Sequence, residues 1–145
     1  MKHTPRDPAF EQRVRDSFNK QRFMQTLGAT ITHVSAGEVR IEFQHREDLT
    51  QQHGFVHAGA LASVLDSACG YAALSMMEPG TAVLSIEYKI NMLAPAIGPD
   101  FVATARVERA GRNITVCRGE LHSGDKAIAL MQATMMSVRQ EGLTD

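Results

Sequence analysis

One carboxylate stands alone in a long run of small and apolar residues. From His53 to Ala73 the sequence reads HGFVHAGALASVLDSACGYAA, and Asp66 is its single acidic residue. A buried carboxylate without a partner is costly, and the run contains no basic side chain other than histidine. Either Asp66 reaches an arginine or water at an edge of the helix, or tertiary and quaternary structure give it a pKa suited to acid–base chemistry.

The start of the same run offers a hydrogen-bond donor. Gly54 and Gly59 bracket His57 and Ala58, and a helix that starts there leaves backbone N–H groups free at its positive end. The N–H of Ala58 could polarise a carbonyl group. It is eight residues from Asp66, which is roughly 12 Å along a helix axis and too far for both groups to act on one carbonyl. Either they do unrelated jobs, or two antiparallel helices in a twofold dimer form two shared sites.

The hydrophobic pattern predicts an α+β fold in a single domain over residues 1–145. Helical spacing of apolar residues predicts an N-terminal helix over about 8–27, and the central run predicts a buried helix over about 57–77. Alternation and turn signals predict two strands before the central helix, four strands after it and a polar tail from about 139. The strand around 84–92 should be half-buried. No helix connects the last four strands, so that part of the sheet should be antiparallel.

Charge and composition argue against two classes of partner. The chain of 145 residues has 15 basic and 16 acidic side chains, interspersed along its length, which argues against a nucleic-acid partner.

The first seven residues lack the apolar run of a secretory signal, so we expect a cytoplasmic protein. The central run is long enough to cross a membrane, but its central carboxylate would cost about 2.5 to 3.5 kcal/mol there. We therefore expect no membrane partner.

Two histidines raise the alternative of a metal site. His53 and His57 form an HxxxH motif, and histidines four residues apart on a helix can share one ion. Gly54 makes a common helix unfavourable, the glutamate of HExxH is missing, and no third ligand has a suitable spacing. We expect no metal, and we expect His57 to anchor the helix start through a hydrogen bond.

Together these motifs resemble the PaaI-like acyl-CoA thioesterases of the hotdog-fold superfamily. The residues that carry the resemblance are Gly54, His57, Gly59, Asp66 and the run SIEYKINMLAPA from Ser85 to Ala96. The resemblance covers about residues 20–138. It implies a hotdog fold, in which a curved antiparallel sheet of about six strands wraps a long central helix, and it implies homodimers that often pair into homotetramers.

The resemblance also implies an activity, the hydrolysis of an aromatic or medium/long-chain acyl-CoA, with no cofactor besides the coenzyme A of the substrate. Asp66 matches the family's acidic residue, which acts as nucleophile or general base, and both roles require its ionised form. Ala58 matches a glycine whose amide binds the thioester oxygen. Gln51 matches an asparagine that contacts the reacting group, and Ser85 matches a serine near the acid.

Coenzyme A also needs cations or free amides for its phosphates. The residues predicted to bind substrate are His57, Gly59, Arg112 and Asn113. Arg112 lies in the turn formed by residues 110–113 and is the first candidate for the phosphates, with Arg109 and Lys89 behind it.

Two other functions remain open. A hotdog dehydratase or hydratase pairs a catalytic histidine with an acid in other motifs, and neither His53 nor His57 repeats that arrangement. A non-catalytic acyl-CoA binding module would keep Arg112 but would have no use for Asp66. The thioesterase is favoured because a carboxylate and a helix-start amide are both in place.

Overall fold

The computed structural model describes residues 3–143 and residue 145. Its helices are α1 (Phe10–Lys20), α2 (Arg22–Thr26) and α3 (Ala58–Leu74), with a short 3-10 helix at Glu47–Leu49. Its strands are β1 (Thr30–Ser35), β2 (Glu38–Gln44), β3 (Ala82–Met92), β4 (Asp100–Ala110), β5 (Ile114–Ser123) and β6 (Lys126–Val138). The α+β class and the six strands agree with the prediction.

All six strands form one antiparallel sheet in the order β1-β2-β4-β5-β6-β3. The predicted antiparallel arrangement of the last four strands is confirmed. Because β3 pairs only with β6, it lies at an edge of the sheet. Helix α3 packs on the concave face and contacts β2, β3, β4, β5 and β6. This wrapped helix is the hotdog architecture that the resemblance implies.

Small residues let α3 and the sheet approach closely. Gly119 lies on β5 under the helix, and a Cβ atom there would come within 3.0 Å of a Leu65 methyl group and 3.1 Å of Cys69 Sγ. Ala105 and Ala133, on the neighbouring strands, are completely buried in the same layer. The alanine- and glycine-rich composition of the central run therefore reflects close helix–sheet packing.

One side of α3 is not covered by the sheet. The residues of α3 that retain exposure along this side are Gly59, Ala62, Ser63, Asp66 and Gly70. Beside them the inward side chains of β3 are also open, and Tyr88 and Met92 are 45% and 43% exposed. We call the surface formed by Ala62, Ser63, Asp66, Gly70, Tyr88 and Met92 the open flank.

The expectation of a half-buried β3 is wrong. Leu84 and Ile86 are 45% and 50% exposed, and of the whole strand only Ala82 is buried. The apolar residues do not keep to one face, because a bulge between Ser85 and Glu87 leaves Leu84 on the face away from α3 and Tyr88 on the face toward it. Beyond α3, the inner face of this edge strand also has no layer to bury it. Burial of these side chains requires another surface.

The single helix expected over about 8–27 is also wrong. Gln21 has an extended backbone, with φ −79° and ψ 101°, and separates α1 from α2. Its side-chain oxygen accepts a hydrogen bond of 3.1 Å from Ser67 Oγ on α3. A tertiary contact of this kind has no signal in the local sequence pattern.

The central helix and the tail lie close to their expected positions. Helix α3 begins and ends inside the predicted range, and the turn after it closes with backbone hydrogen bonds from Met76 to Ala73 and from Met77 to Leu74. The segment after β6 contains one isolated bridge, between Gln140 and Leu143. Within the described residues, no helix is both long enough and apolar enough to span a membrane.

Candidate active site

The structure brings Asp66 and Ser85 together. Asp66 lies in the middle of α3 and Ser85 lies on β3, and Ser85 Oγ donates a hydrogen bond of 2.7 Å to Asp66 Oδ1. Ser85 Oγ also lies 3.4 Å from the sulfur of Met135 in the core. No cation among the described residues pairs with the carboxylate. The acid is therefore oriented by a neutral donor.

Burial raises the pKa of the Asp66 carboxyl above its ordinary value, and the Ser85 hydrogen bond partly offsets that rise. Burial acts in this direction because it penalises the charged form of an acid. The ionised Asp66 is consequently a better proton acceptor than an exposed aspartate.

His57 anchors the start of α3, as expected from the sequence. It is the N-cap residue, and its Nδ1 accepts a hydrogen bond of 2.8 Å from the Gly59 N–H. The neutral imidazole therefore carries its proton on Nε2. No acceptor among the described residues receives the Ala58 N–H, which lies at the positive end of the helix dipole. This N–H is available to a ligand.

Gln51 lies in the loop before α3. Its side-chain oxygen accepts a hydrogen bond from the His53 N–H, and its backbone N–H donates to Phe55 O over 2.9 Å. His53 belongs to this loop and not to α3, so the HxxxH pair does not share a helix. In the part of the chain that the structure describes, no three potential metal ligands cluster.

A single subunit does not assemble the whole predicted catalytic set. Ala58 is the first residue of α3 and Asp66 lies eight residues further on, so the free N–H and the carboxylate are roughly 12 Å apart along the axis. No described hydrogen bond joins Gln51 to Asp66 or Ser85. The acid and its serine form one group, and the helix start and Gln51 form another.

Arg112 and Asn113 line a groove of about 640 Å³ together with Arg6 and Arg139. Arg6 Nη2 donates to Gly111 O over 3.1 Å, which ties the N-terminal segment to the turn after β4. Sequence reasoning missed Arg6 and Arg139, because each stands outside any motif near an end of the chain. Arg109 and Lys89, which were the secondary candidates, do not line this groove.

A smaller cavity of about 130 Å³ opens beside Asp66. Its lining residues are Gln21, Asp66, Ser67, Gly70, Tyr71, Val83, Ser85 and Asp145. Gln21, Tyr71 and Asp145 were not singled out in the sequence, since they come from three separate parts of the chain. The fold therefore places further polar side chains around the acid.

The chain shares this framework with known proteins. A family model described as the thioesterase superfamily matches residues 53–129. A crystal structure of a thioesterase family protein from Silicibacter pomeroyi aligns over 90% of this chain and 99% of that chain, with 47% identity and a TM-score of 0.88. The PaaI protein of Escherichia coli, from its phenylacetic acid degradation operon, aligns over 89% and 93% of the two chains with 23% identity and a TM-score of 0.83, which shows a common fold.

Curated relatives match over shorter lengths. Acyl-coenzyme A thioesterase 13 of Homo sapiens is 32% identical over 101 residues, which are 68% of this chain and 71% of that protein. A protein of Halobacterium salinarum that is named only as an esterase is 35% identical over 95 residues, and this match spans 62% of its length.

The raised pKa of Asp66 predicts that ionisation of this residue destabilises the fold. Below about pH 3 the carboxyl is protonated in the folded and unfolded chain alike, and as the pH rises the unfolded chain ionises first, so stability is lost. Asp66→Asn keeps an acceptor for Ser85 and removes the charge. Urea denaturation should therefore give the variant a higher free energy of unfolding than wild type at pH 7, with the difference disappearing at low pH.

The control is Asp125→Asn, in the exposed turn between β5 and β6, which should change stability little at either pH. A less stable Asp66→Asn protein at pH 7 would show that the carboxylate stabilises the fold.

Proposed function

The chain belongs to the thioesterase superfamily, and on that premise we propose that it hydrolyses acyl-CoA thioesters with Asp66 as its central group. The observation that carries the proposal is the pair of Asp66 and Ser85, in which a half-buried carboxylate is held by a neutral hydroxyl and lines a cavity. The name of the human relative supports an acyl-CoA substrate.

The reaction requires a donor for the carbonyl oxygen and an ionised acid. The Ala58 N–H polarises the thioester carbonyl, and Asp66 either takes a proton from the attacking water or attacks the carbonyl carbon itself. The carbon–sulfur bond then breaks, and coenzyme A leaves as a thiolate that receives a proton from Asp66 or from water. In the second route, water then hydrolyses the acyl–aspartyl anhydride, which releases the carboxylic acid and regenerates Asp66. These groups and water complete the chemistry, so the proposed reaction uses no metal and no separate cofactor.

The open flank supports a shared site in a homodimer. It combines small and apolar residues with the acid, and it continues onto the edge of β3. Exposed apolar surface beside a free strand edge is uncommon on monomers. We propose that two chains pair their β3 edges around a twofold axis, so that α3 of one chain lies antiparallel to α3 of the other. Each site then takes Asp66 and Ser85 from one chain and the Ala58 N–H from its partner.

The helix-start loop supplies the remaining polar contacts in this proposal. His57 and Gly59 hold the first turn in place through their hydrogen bond. The oxygen of Gln51 is committed to its own loop, so its carboxamide nitrogen is the group that contacts the thioester. Gln51 therefore belongs to the same half of the shared site as Ala58.

The arginine groove is the proposed site for the phosphates of coenzyme A. Arg6, Arg112 and Arg139 line it with Asn113, and Glu78 is its acidic member. Guanidinium groups form charge-assisted, often bidentate hydrogen bonds with phosphate oxygens. Arg112 thus gains two cationic neighbours for the role suggested by the sequence.

The decisive experiment measures hydrolysis of a panel of acyl-CoAs by wild type and by Asp66→Asn. Removal of a general base costs about 10²- to 10⁴-fold in rate, so Asp66→Asn should lose at least two orders of magnitude in kcat. Asp125→Asn should keep wild-type activity. Activity of Asp66→Asn within threefold of wild type would make the residue structural, and a wild type that binds acyl-CoA without hydrolysis would be a binding module.

Mixed dimers test the shared site. Ala58→Pro removes the free N–H, and proline fits the first helical position because His57 has the φ of −61° and ψ of 138° that a residue before proline prefers. Loss of one such donor costs about 10²- to 10³-fold in rate. Co-refolding equal amounts of Ala58→Pro and Asp66→Asn should restore roughly a quarter of wild-type activity, because half of the dimers are mixed and each has one intact site.

Activity that stays at the parental level, although mass spectrometry confirms mixed dimers, would refute the shared site. Light scattering of the 15.9 kDa chain identifies the assembly in the same samples. A monomer that hydrolyses thioester would contradict the dimer, and a tetramer would fit the pairing of dimers that the resemblance implies.

Arg112→Ala tests the phosphate site. Loss of one charge-assisted hydrogen bond should raise KM for an acyl-CoA about tenfold and leave kcat nearly unchanged. The same variant should act normally on an acyl-N-acetylcysteamine thioester, which lacks the nucleotide. Arg109→Ala, an exposed change outside the groove, is the control, and an equal KM increase on both substrates would place the effect away from the phosphates.

A further inference from the structure

Gln21 interrupts the N-terminal helical region and turns its side chain toward α3. Its extended backbone separates α1 from α2, and its side-chain oxygen accepts a hydrogen bond of 3.1 Å from Ser67 Oγ. Ser67 follows Asp66 directly in α3, so the carboxamide of Gln21 is held against the helical turn that carries the acid. Gln21 and Asp66 both line the cavity of about 130 Å³.

The walls of this cavity retain hydrogen-bonding groups that are not in use. The oxygen of Gln21 is occupied, but no acceptor among the described residues receives a hydrogen bond from its amide nitrogen. The Tyr71 hydroxyl accepts a hydrogen bond from Ser17 over 3.4 Å and keeps its own proton to donate. Asp145 accepts the Val83 N–H through one of its two carboxylate oxygens. Residues with such donors and acceptors thus line one small space beside the acid.

Water fits these walls better than an apolar acyl chain does. A space of this size holds about four water molecules at roughly 30 Å³ each. An apolar chain would leave the Gln21 amide and the Tyr71 hydroxyl desolvated and unpaired, which is unfavourable. A water molecule has a lone pair for the Gln21 amide and a proton for the Asp66 carboxylate, and both residues line the cavity.

We propose that this cavity holds the water that hydrolyses the thioester, and that Gln21 is the positioning residue for this water. The inference rests on the proposed thioesterase function and assigns Asp66 the role of general base. The helix break at Gln21 is then explained, since a continuous helix would not direct this side chain to Ser67 and the cavity.

The proposed step balances as follows. The Gln21 amide donates to the water oxygen, Asp66 takes one proton from the water, and the oxygen forms a bond to the thioester carbonyl carbon. The carbon–sulfur bond breaks, and the departing thiolate of coenzyme A receives the proton from Asp66. One water is consumed, a carboxylic acid and a thiol are formed, and the carboxylate is regenerated.

Gln21→Met tests the inference, because methionine has nearly the same shape and cannot donate. We expect kcat to fall at least tenfold for every hydrolysed acyl-CoA, with KM within about twofold of wild type. When Asp66→Asn is already present, Gln21→Met should lower kcat little further, because no base remains to take a proton from the positioned water. A purely structural role would lower activity by the same factor in both backgrounds.

Gln25→Met is the matched control, because Gln25 is exposed on α2 and its amide donates to Asn19 O. Ser67→Ala is a second variant, which removes the hydrogen bond that orients Gln21 and leaves its amide in place. It should lower kcat severalfold with KM unchanged. A high-resolution crystal structure of the wild type should show a water molecule bonded to both Gln21 Nε2 and Asp66.

Several results would overturn the inference while the proposed function stands. One is an active wild type whose kcat Gln21→Met does not change. Another is a change in KM or in acyl preference on Gln21→Met, which would assign the cavity to the acyl group. The third is a crystal structure of the wild type without the bridging water. A wild type that hydrolyses no acyl-CoA would refute the proposed function, and the inference with it.

Discussion

Close packing of α3 on the concave face of the sheet is the constraint on which the rest of the structure depends. The absence of a side chain at Gly119 lets Leu65 and Cys69 rest directly on β5. At this short distance the carboxylate of Asp66 reaches Ser85 on β3 across 2.7 Å. A larger residue at position 119 would push the helix outward and lengthen this hydrogen bond. The geometry of the acid is therefore a consequence of core packing.

Among the described residues no cation pairs with Asp66, and this favours its chemistry. A guanidinium group beside the acid would stabilise its charge and lower its pKa, which would make it a weaker base. Arg6, Arg112 and Arg139 line a separate groove, and Arg13 lies near Asp145, another residue of the cavity wall. A partly buried charge that is held only by a hydroxyl reduces stability, and functional sites commonly carry such local costs.

The sequence was sufficient where a local pattern decides the structure. Alternation located the strands, the apolar run located α3, and the glycines around His57 indicated an anchored helix start. It was insufficient where distant segments meet. Gln21 leaves the helix for a contact with Ser67, 46 residues away, and Arg6 and Arg139 approach Arg112 from near the two ends of the chain. Burial of β3 depends on what lies beyond the sheet edge, which the alternation within the strand does not encode.

The small residues of the open flank and the separation of Ala58 from Asp66 are explained by one arrangement. Ala62 lies midway between Ala58 and Asp66 in α3. Ala58 and Asp66 are therefore each roughly 6 Å from Ala62 along the helix axis and about 40° around it, in opposite directions. If two antiparallel copies of α3 cross at Ala62, Ala58 of each chain lies opposite Asp66 of the other. A methyl group at the crossing point allows the helices to approach closely, and Ser63 and Gly70 add little bulk beside it. In the proposed dimer, the residues that leave the flank of α3 open would be the residues that let a second helix complete the site.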